Sequence, residues 1–178
     1  MRVVAGVYRG RRLQAPAGRS TRPTSDRVRE ALFSILGPAV EDAHVLDLFA
    51  GSGALGIEAL SRGAAEAVFV DSDVRAVAAV RANLEAVGAE APVHRRDALA
   101  WLASTASGGR TFDLVFADPP YSSAGRTAGR LSELLPPLLT DSSLTVTESD
   151  KRDPLLLDLP QIDERLYGDT RIAIHRGK

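Results

Sequence analysis

The sequence predicts an α/β protein built on a parallel, doubly wound sheet, and three observations carry that expectation. From His44 onward, short apolar runs alternate with amphipathic helical stretches, the pattern of repeated βαβ units. The runs are nearly continuous, as in Val45-Leu46-Asp47-Leu48-Phe49 and residues 112–117, which suits strands covered on both faces. Acids also stand after successive strands, at Asp71, Asp97 and Asp118, where the ligand crevice of such a sheet opens.

Each element follows from local chemistry. Residues 2–14 read as a short β-hairpin: Val3, Val4 and Leu13 flank Gly6 and Gly10, with Tyr8 and Arg9 near the tip. Pro16, Gly18 and Pro23 then mark an extended linker. A helix is expected from Thr24 or Ser25, either a suitable N-cap, with Asp26 in its positive first turn. Its apolar stripe is Val28, Leu32, Ile35 and Leu36, and Gly37-Pro38 ends it. Arg27, Arg29 and Glu30 fall off the stripe and are expected to face a ligand or solvent. Strands follow at residues 45–49, 67–71, 92–94, 112–117 and 143–148, with helices at 53–62, 73–87, 98–103 and 125–135. Residues 165–174 form a last hairpin turning at Gly168-Asp169, which inserts an antiparallel strand into the sheet.

Composition bounds the function. At 178 residues, 44% apolar and 25% charged, the chain suits one full domain with a sizeable core. The absence of cysteine excludes disulfides, thiolate metal sites and a cysteine nucleophile. No apolar leader opens the chain, and no run approaches the ~18 apolar residues of a membrane span, so a soluble cytoplasmic protein is expected. The net charge of −1 hides an asymmetry: residues 1–30 carry eight arginines and two acids, a net of +6, against −7 for the remainder. Arginine grips phosphate oxygens in a bidentate fork, so a basic arm on an acidic body fits a nucleic acid. Composition alone leaves a solvated tail equally open.

Asp47-Leu48-Phe49-Ala50-Gly51-Ser52-Gly53-Ala54-Leu55-Gly56 places G-x-G-x-x-G between a strand and a helix. Such a loop lets a ligand approach the backbone and aims helix N–H groups at its polar part. Asp71 follows Gly51 at the spacing of a ribose-binding carboxylate, and Asp97 can accept from an adenine amino group. Asp47 discriminates between cofactors, because a carboxylate here would repel a dinucleotide's pyrophosphate. The ammonium and sulfonium of S-adenosylmethionine would instead attract it. Asp47, Phe49, Ala50, Gly51, Ser52, Gly53, Gly56, Asp71, Asp97 and Ala98 are therefore the candidate cofactor residues. Thr24 and Arg27 are further candidates; equally, Thr24 is only an N-cap and Arg27 part of a solvated pair with Glu30.

Asp118-Pro119-Pro120-Tyr121 closes the fourth strand, since two prolines cannot continue a ladder. The turn presents a carboxylate, carbonyls without competing N–H groups, and an aromatic face, which together suit a planar amino group. Asp118 and the Pro119 carbonyl would accept its two hydrogens and Tyr121 would stack on the ring. This would be catalysis by position and electrostatics. Ser52 forms no nucleophile elbow, and His44, His94 and His175 show no metal-ligand pattern. Trp101 is expected in the core.

Arg2-Val3-Val4-Ala5-Gly6, Tyr8-Arg9-Gly10-Arg11, Arg22-Pro23-Thr24-Ser25-Asp26-Arg27-Val28-Arg29-Glu30 and the glycine loop together resemble the RsmD-type 16S rRNA guanine-N2 methyltransferases. The similarity runs on through Asp118–Tyr121 to Tyr167-Gly168-Asp169-Thr170. It implies a Rossmann-like class I S-adenosylmethionine-dependent methyltransferase fold. That fold has a seven-stranded, mostly parallel sheet with an antiparallel terminal hairpin, plus an N-terminal hairpin arm. Residues 1–22 would form the arm and 23–178 the methyltransferase domain. The implied reaction is methylation of a guanine in the helix-31 loop of 16S rRNA, on 30S subunits or assembly intermediates, by a cytoplasmic monomer. Arg2, Tyr8, Arg9, Arg11, Arg12 and Arg22 would then hold rRNA. DNA adenine N6, a protein glutamine amide and a non-catalytic RNA-binding assembly role are the alternatives. The 104–110 loop and the segment 151–160 receive no role.

Overall fold

The computed structural model describes residues 1–18, 25–120 and 124–177. Among these, the strands are β1 His44–Leu48, β2 Glu66–Asp71, β3 Val93–Arg95, β4 Phe112–Ala117, β5 Leu139–Asp150, β6 Gln161–Tyr167 and β7 Thr170–Arg176. They form one seven-stranded sheet in the order β3-β2-β1-β4-β5-β7-β6. The first five are parallel, and β7 lies antiparallel between β5 and β6. The strand order reverses between β1 and β4, so a crevice opens at their carboxyl ends.

Helices α1 Asp26–Leu36, α2 Ala54–Ser61 and α3 Val74–Val87 join the apolar cluster on one face of the sheet; α4 Ala98–Thr105 and α5 Ala124–Leu134 join the other. Local chemistry sets their starts. Ser25, Asp73 and Asp97 each accept a hydrogen bond from the first turn of α1, α3 and α4. Helix α4 runs to Thr105, further than expected, and takes the start of the anticipated 104–110 loop. Strand β5 is also longer than 143–148, because its pairing with β7 continues to Asp150 opposite Thr170. Trp101 is buried beside Phe112, their ring centroids 6.3 Å apart, as core. Segment 151–160 buries Leu155 and Leu159 over the sheet. No helix among the described residues is long and apolar enough to cross a membrane.

The face of α1 corrects the sequence reading. Its buried residues are Arg29, Leu32, Phe33 and Leu36, while Ile35 is exposed. Arg29 was expected to face ligand or solvent, yet it is fully buried. The N-terminal hairpin closes over it: its Nη2 donates to the Arg2 carbonyl and to Asp26 Oδ1, the latter at 2.9 Å. Its Nε lies 3.5 Å from Glu58 Oε2. Buried Glu58 accepts from the N–H groups of Val4 (2.8 Å) and Ala5 (3.0 Å) and from Arg62 Nε (2.8 Å).

Residues 1–14 thus pack on the body through a buried charge network and the side chains of Val3 and Leu13. The hairpin pairs Arg2 with Arg12. Its turn fits α2 because Gly6 has φ +80° and a Cβ there would sit 1.7 Å from the Ser61 carbonyl oxygen.

Candidate active site

The glycine loop starts where β1 ends. Phe49 has φ +57°, an unfavourable conformation for a bulky residue, so the chain turns sharply out of the sheet into the crevice. Helix α2 then begins after Gly53 without a side-chain cap. It settles directly on β2, since a Cβ at Gly56 would lie 2.3 Å from the Phe69 ring. Two acids pin the loop. Asp47 Oδ2 accepts from Gly56 N–H at 3.0 Å, and Asp71 accepts from Gly51 (2.9 Å) and Asp73 (2.8 Å).

A third anchor escaped the sequence reading. Buried Asn83 donates to the Ser52 carbonyl (2.8 Å) and the Gln14 carbonyl (2.9 Å), and accepts from Gln14 N–H (2.7 Å). The hairpin is thereby stitched to the glycine loop. The only local hint was a polar residue on the apolar face of α3.

Asp47 is buried and its carboxyl is pushed up to about 8. Desolvation is the main cause, the charge of Asp71 adds to it, and the Gly56 N–H works against it. Asp118 follows directly after β4. The residue keeps exposed surface, but its carboxyl group is crowded by protein. Desolvation raises it well above the ordinary carboxylate range, helped by the charges of Glu148 and then Asp47.

Glu148, near the end of β5, is the functional candidate that sequence reasoning missed. Ala117 pairs with Thr147, so Asp118 and Glu148 are the next residues along adjacent parallel strands. Asp47, Phe116 and Val146 are in register across three strands, and alternation places Glu148 on their face. An acid at the carboxyl end of the expected fifth strand, as at the ends of the second and fourth, was the available signal.

The remaining predicted residues fall into distinct places. Asp97 is exposed and caps α4 through Ala100 N–H at 2.9 Å, while the Ala98 methyl belongs to the core. Pro119 is buried and Pro120 exposed. Arg27 lines a cleft of about 270 Å³ with Arg2, Arg9, Asp26 and Glu30, between the hairpin and α1. Arg11 and Arg12 are exposed. Tyr8 is half-buried against the core, and Val7 is the exposed apolar residue of the turn. Arg22, Thr24 and Tyr121 lie outside the described residues.

Buried Asp47, which already takes up the Gly56 N–H in the first turn of α2, fits a small zwitterion carrying extra positive charge, and suits S-adenosylmethionine better than a pyrophosphate. The fold and site define a class I S-adenosylmethionine-dependent methyltransferase. The family model described as Conserved hypothetical protein 95 matches residues 1–176, and the chain belongs to that family, the RsmD methyltransferases. The ribosomal RNA small subunit methyltransferase D of Escherichia coli is 40% identical over 161 residues, covering 87% of this chain and 77% of that protein. The solved structure of E. coli yhhF superposes with a TM-score of 0.83 at 35% identity, covering 99% and 98% of the two chains. A Thermus thermophilus 16S rRNA N2 G1207 methyltransferase, RsmC, solved with AdoMet and guanosine, gives a TM-score of 0.70 at 26% identity. That match spans 91% of this chain and 44% of the RsmC chain.

Proposed function

We propose that the protein methylates the exocyclic N2 of a guanine in the helix-31 loop of 16S rRNA. The substrate would be the 30S subunit or a late assembly intermediate, and the enzyme a cytoplasmic monomer. One observation carries this reading: Asp118 follows β4 at the crevice, next to Glu148 on the adjacent strand and within reach of the charge of Asp47. The relatives named above, one of them solved with guanosine, support the choice of substrate.

An exocyclic amino nitrogen is a poor nucleophile because its lone pair is conjugated with the ring. Asp118 and the Pro119 carbonyl accept its two hydrogens, which favours a pyramidal nitrogen and offsets the positive charge that develops there. When bound, S-adenosylmethionine supplies an electrophilic methyl group whose sulfur leaves with the bonding electrons. The residue most exposed to the charge is Asp118, which can take the proton that N2 must lose. Asp47 would hold the ammonium end of the cofactor, and Asp71 the ribose through lone pairs left beside its bonds to Gly51 and Asp73. The cleft between the hairpin and α1 sets three arginines against two acids and would meet rRNA phosphates through Arg9 and Arg27. A loop nucleotide is the cheaper target because its base need not be unpaired.

Asp118→Ala tests this directly. Methyl transfer to small subunits from cells lacking the protein should fall by about 10²- to 10³-fold in kcat. Unchanged transfer by the variant would overturn the mechanism.

A further inference from the structure

We infer that Glu148 reads the ring N1–H of the guanine and so selects guanine over other amino-bearing bases. This deepens the guanine-N2 reading and rests on it. Glu148 is 6% exposed and stands next to Asp118 on the neighbouring parallel strand, on the face that carries Asp47. Gripping one amino group requires Asp118 and the Pro119 carbonyl alone, so the mechanism above leaves Glu148 unused.

Two adjacent carboxylates repel each other, and a substrate that presents adjacent donors relieves both. Guanine is the base with that edge: N1–H lies beside the N2 amino group. Adenine and cytosine instead place a ring-nitrogen lone pair beside their amino group. An ionised carboxylate is acceptor-only, so Glu148 would welcome N1–H and repel a lone pair. A site built around a hydrogen bond rejects an analogue lacking the donor far more strongly than a site that only fits a shape.

The test compares rRNA carrying guanine or 2,6-diaminopurine at the methylated nucleotide, in reconstituted small subunits with the full chain. Diaminopurine keeps the N2 amino group and replaces N1–H by a lone pair. The wild type should prefer guanine by at least about 100-fold in kcat/KM. In Glu148→Gln the amide N–H can donate to that lone pair, so the preference should shrink below about tenfold through a gain on diaminopurine. Affinity for S-adenosylmethionine should stay unchanged. A wild type that uses both bases equally would overturn the inference without any variant. So would a Glu148→Gln protein that loses activity on both bases by the same factor, the mark of a purely structural residue. A wild type active on neither RNA would instead bring down the guanine-N2 reading, and this inference with it.

Discussion

Burial holds the Asp47 carboxyl neutral up to about pH 8, whereas a cationic amino acid beside it needs the carboxylate. On the proposed pairing of Asp47 with the ammonium, cofactor binding below that pH releases a proton. Affinity for S-adenosylmethionine should rise with pH between about 6 and 8 and then level off. Calorimetry in two buffers of different ionisation heat measures that proton, and Asp47→Asn should bind weakly with no pH dependence. Pairing by a carboxylate already ionised at pH 6 would leave the wild-type affinity flat. Asp118 acts through kcat/KM. It must be ionised to accept N–H, and desolvation and then Glu148 and Asp47 raise it, so activity should climb through a limb well above the usual carboxylate range. Glu148→Gln should move that limb to lower pH by removing a like charge. At this scale the sequence was most legible where chemistry is local. Asp47 and the glycines share one strand-loop unit, and Asp71 follows Gly51 at the regular 20-residue spacing of a βαβ unit. Asn83 and Glu148 were missed because the first anchors a carbonyl 31 residues away and the second matters only once β4 and β5 are neighbours.

The N-terminal hairpin and α1 form a mechanical unit with α2. Arg29 has no exposed surface, and Glu58 answers it while also accepting two hairpin N–H groups. Glu58→Ala leaves those N–H groups unsatisfied and removes the carboxylate 3.5 Å from a buried guanidinium whose Nε and Nη1 have no hydrogen-bond partner. It should cost about 3–5 kcal/mol in denaturant unfolding, with early hydrogen exchange at Val4 and Ala5. A loss below about 1 kcal/mol would mean that the hairpin does not depend on the pair. Because Asn83 ties Gln14 to Ser52, removing residues 1–14 should weaken cofactor binding as well as RNA binding. Helix existence and hairpin position were readable from caps, glycines and apolar spacing. The buried face of α1 was not, since periodicity treats arginine as solvent-facing and cannot know that another element covers it.

Across the whole molecule, the order β3-β2-β1-β4-β5-β7-β6 brings acids from four separate strand ends or turns to one crevice. Alternation of strand and helix made the parallel half of this sheet legible, and Gly168-Asp169 marked the antiparallel hairpin. The full length of β5 was not legible, because its start is set by pairing with Phe112 of β4 across an irregularity and its end by pairing with β7. The central claim is that this crevice places a methyl group on a guanine N2 of small-subunit rRNA. Incubating the protein and labelled S-adenosylmethionine with small subunits from cells lacking it, then digesting the rRNA to nucleosides, tests it most directly. The label should appear in N2-methylguanosine from a single helix-31 loop nucleotide. Label in another nucleoside, or transfer to DNA with none to the subunit, would contradict the account.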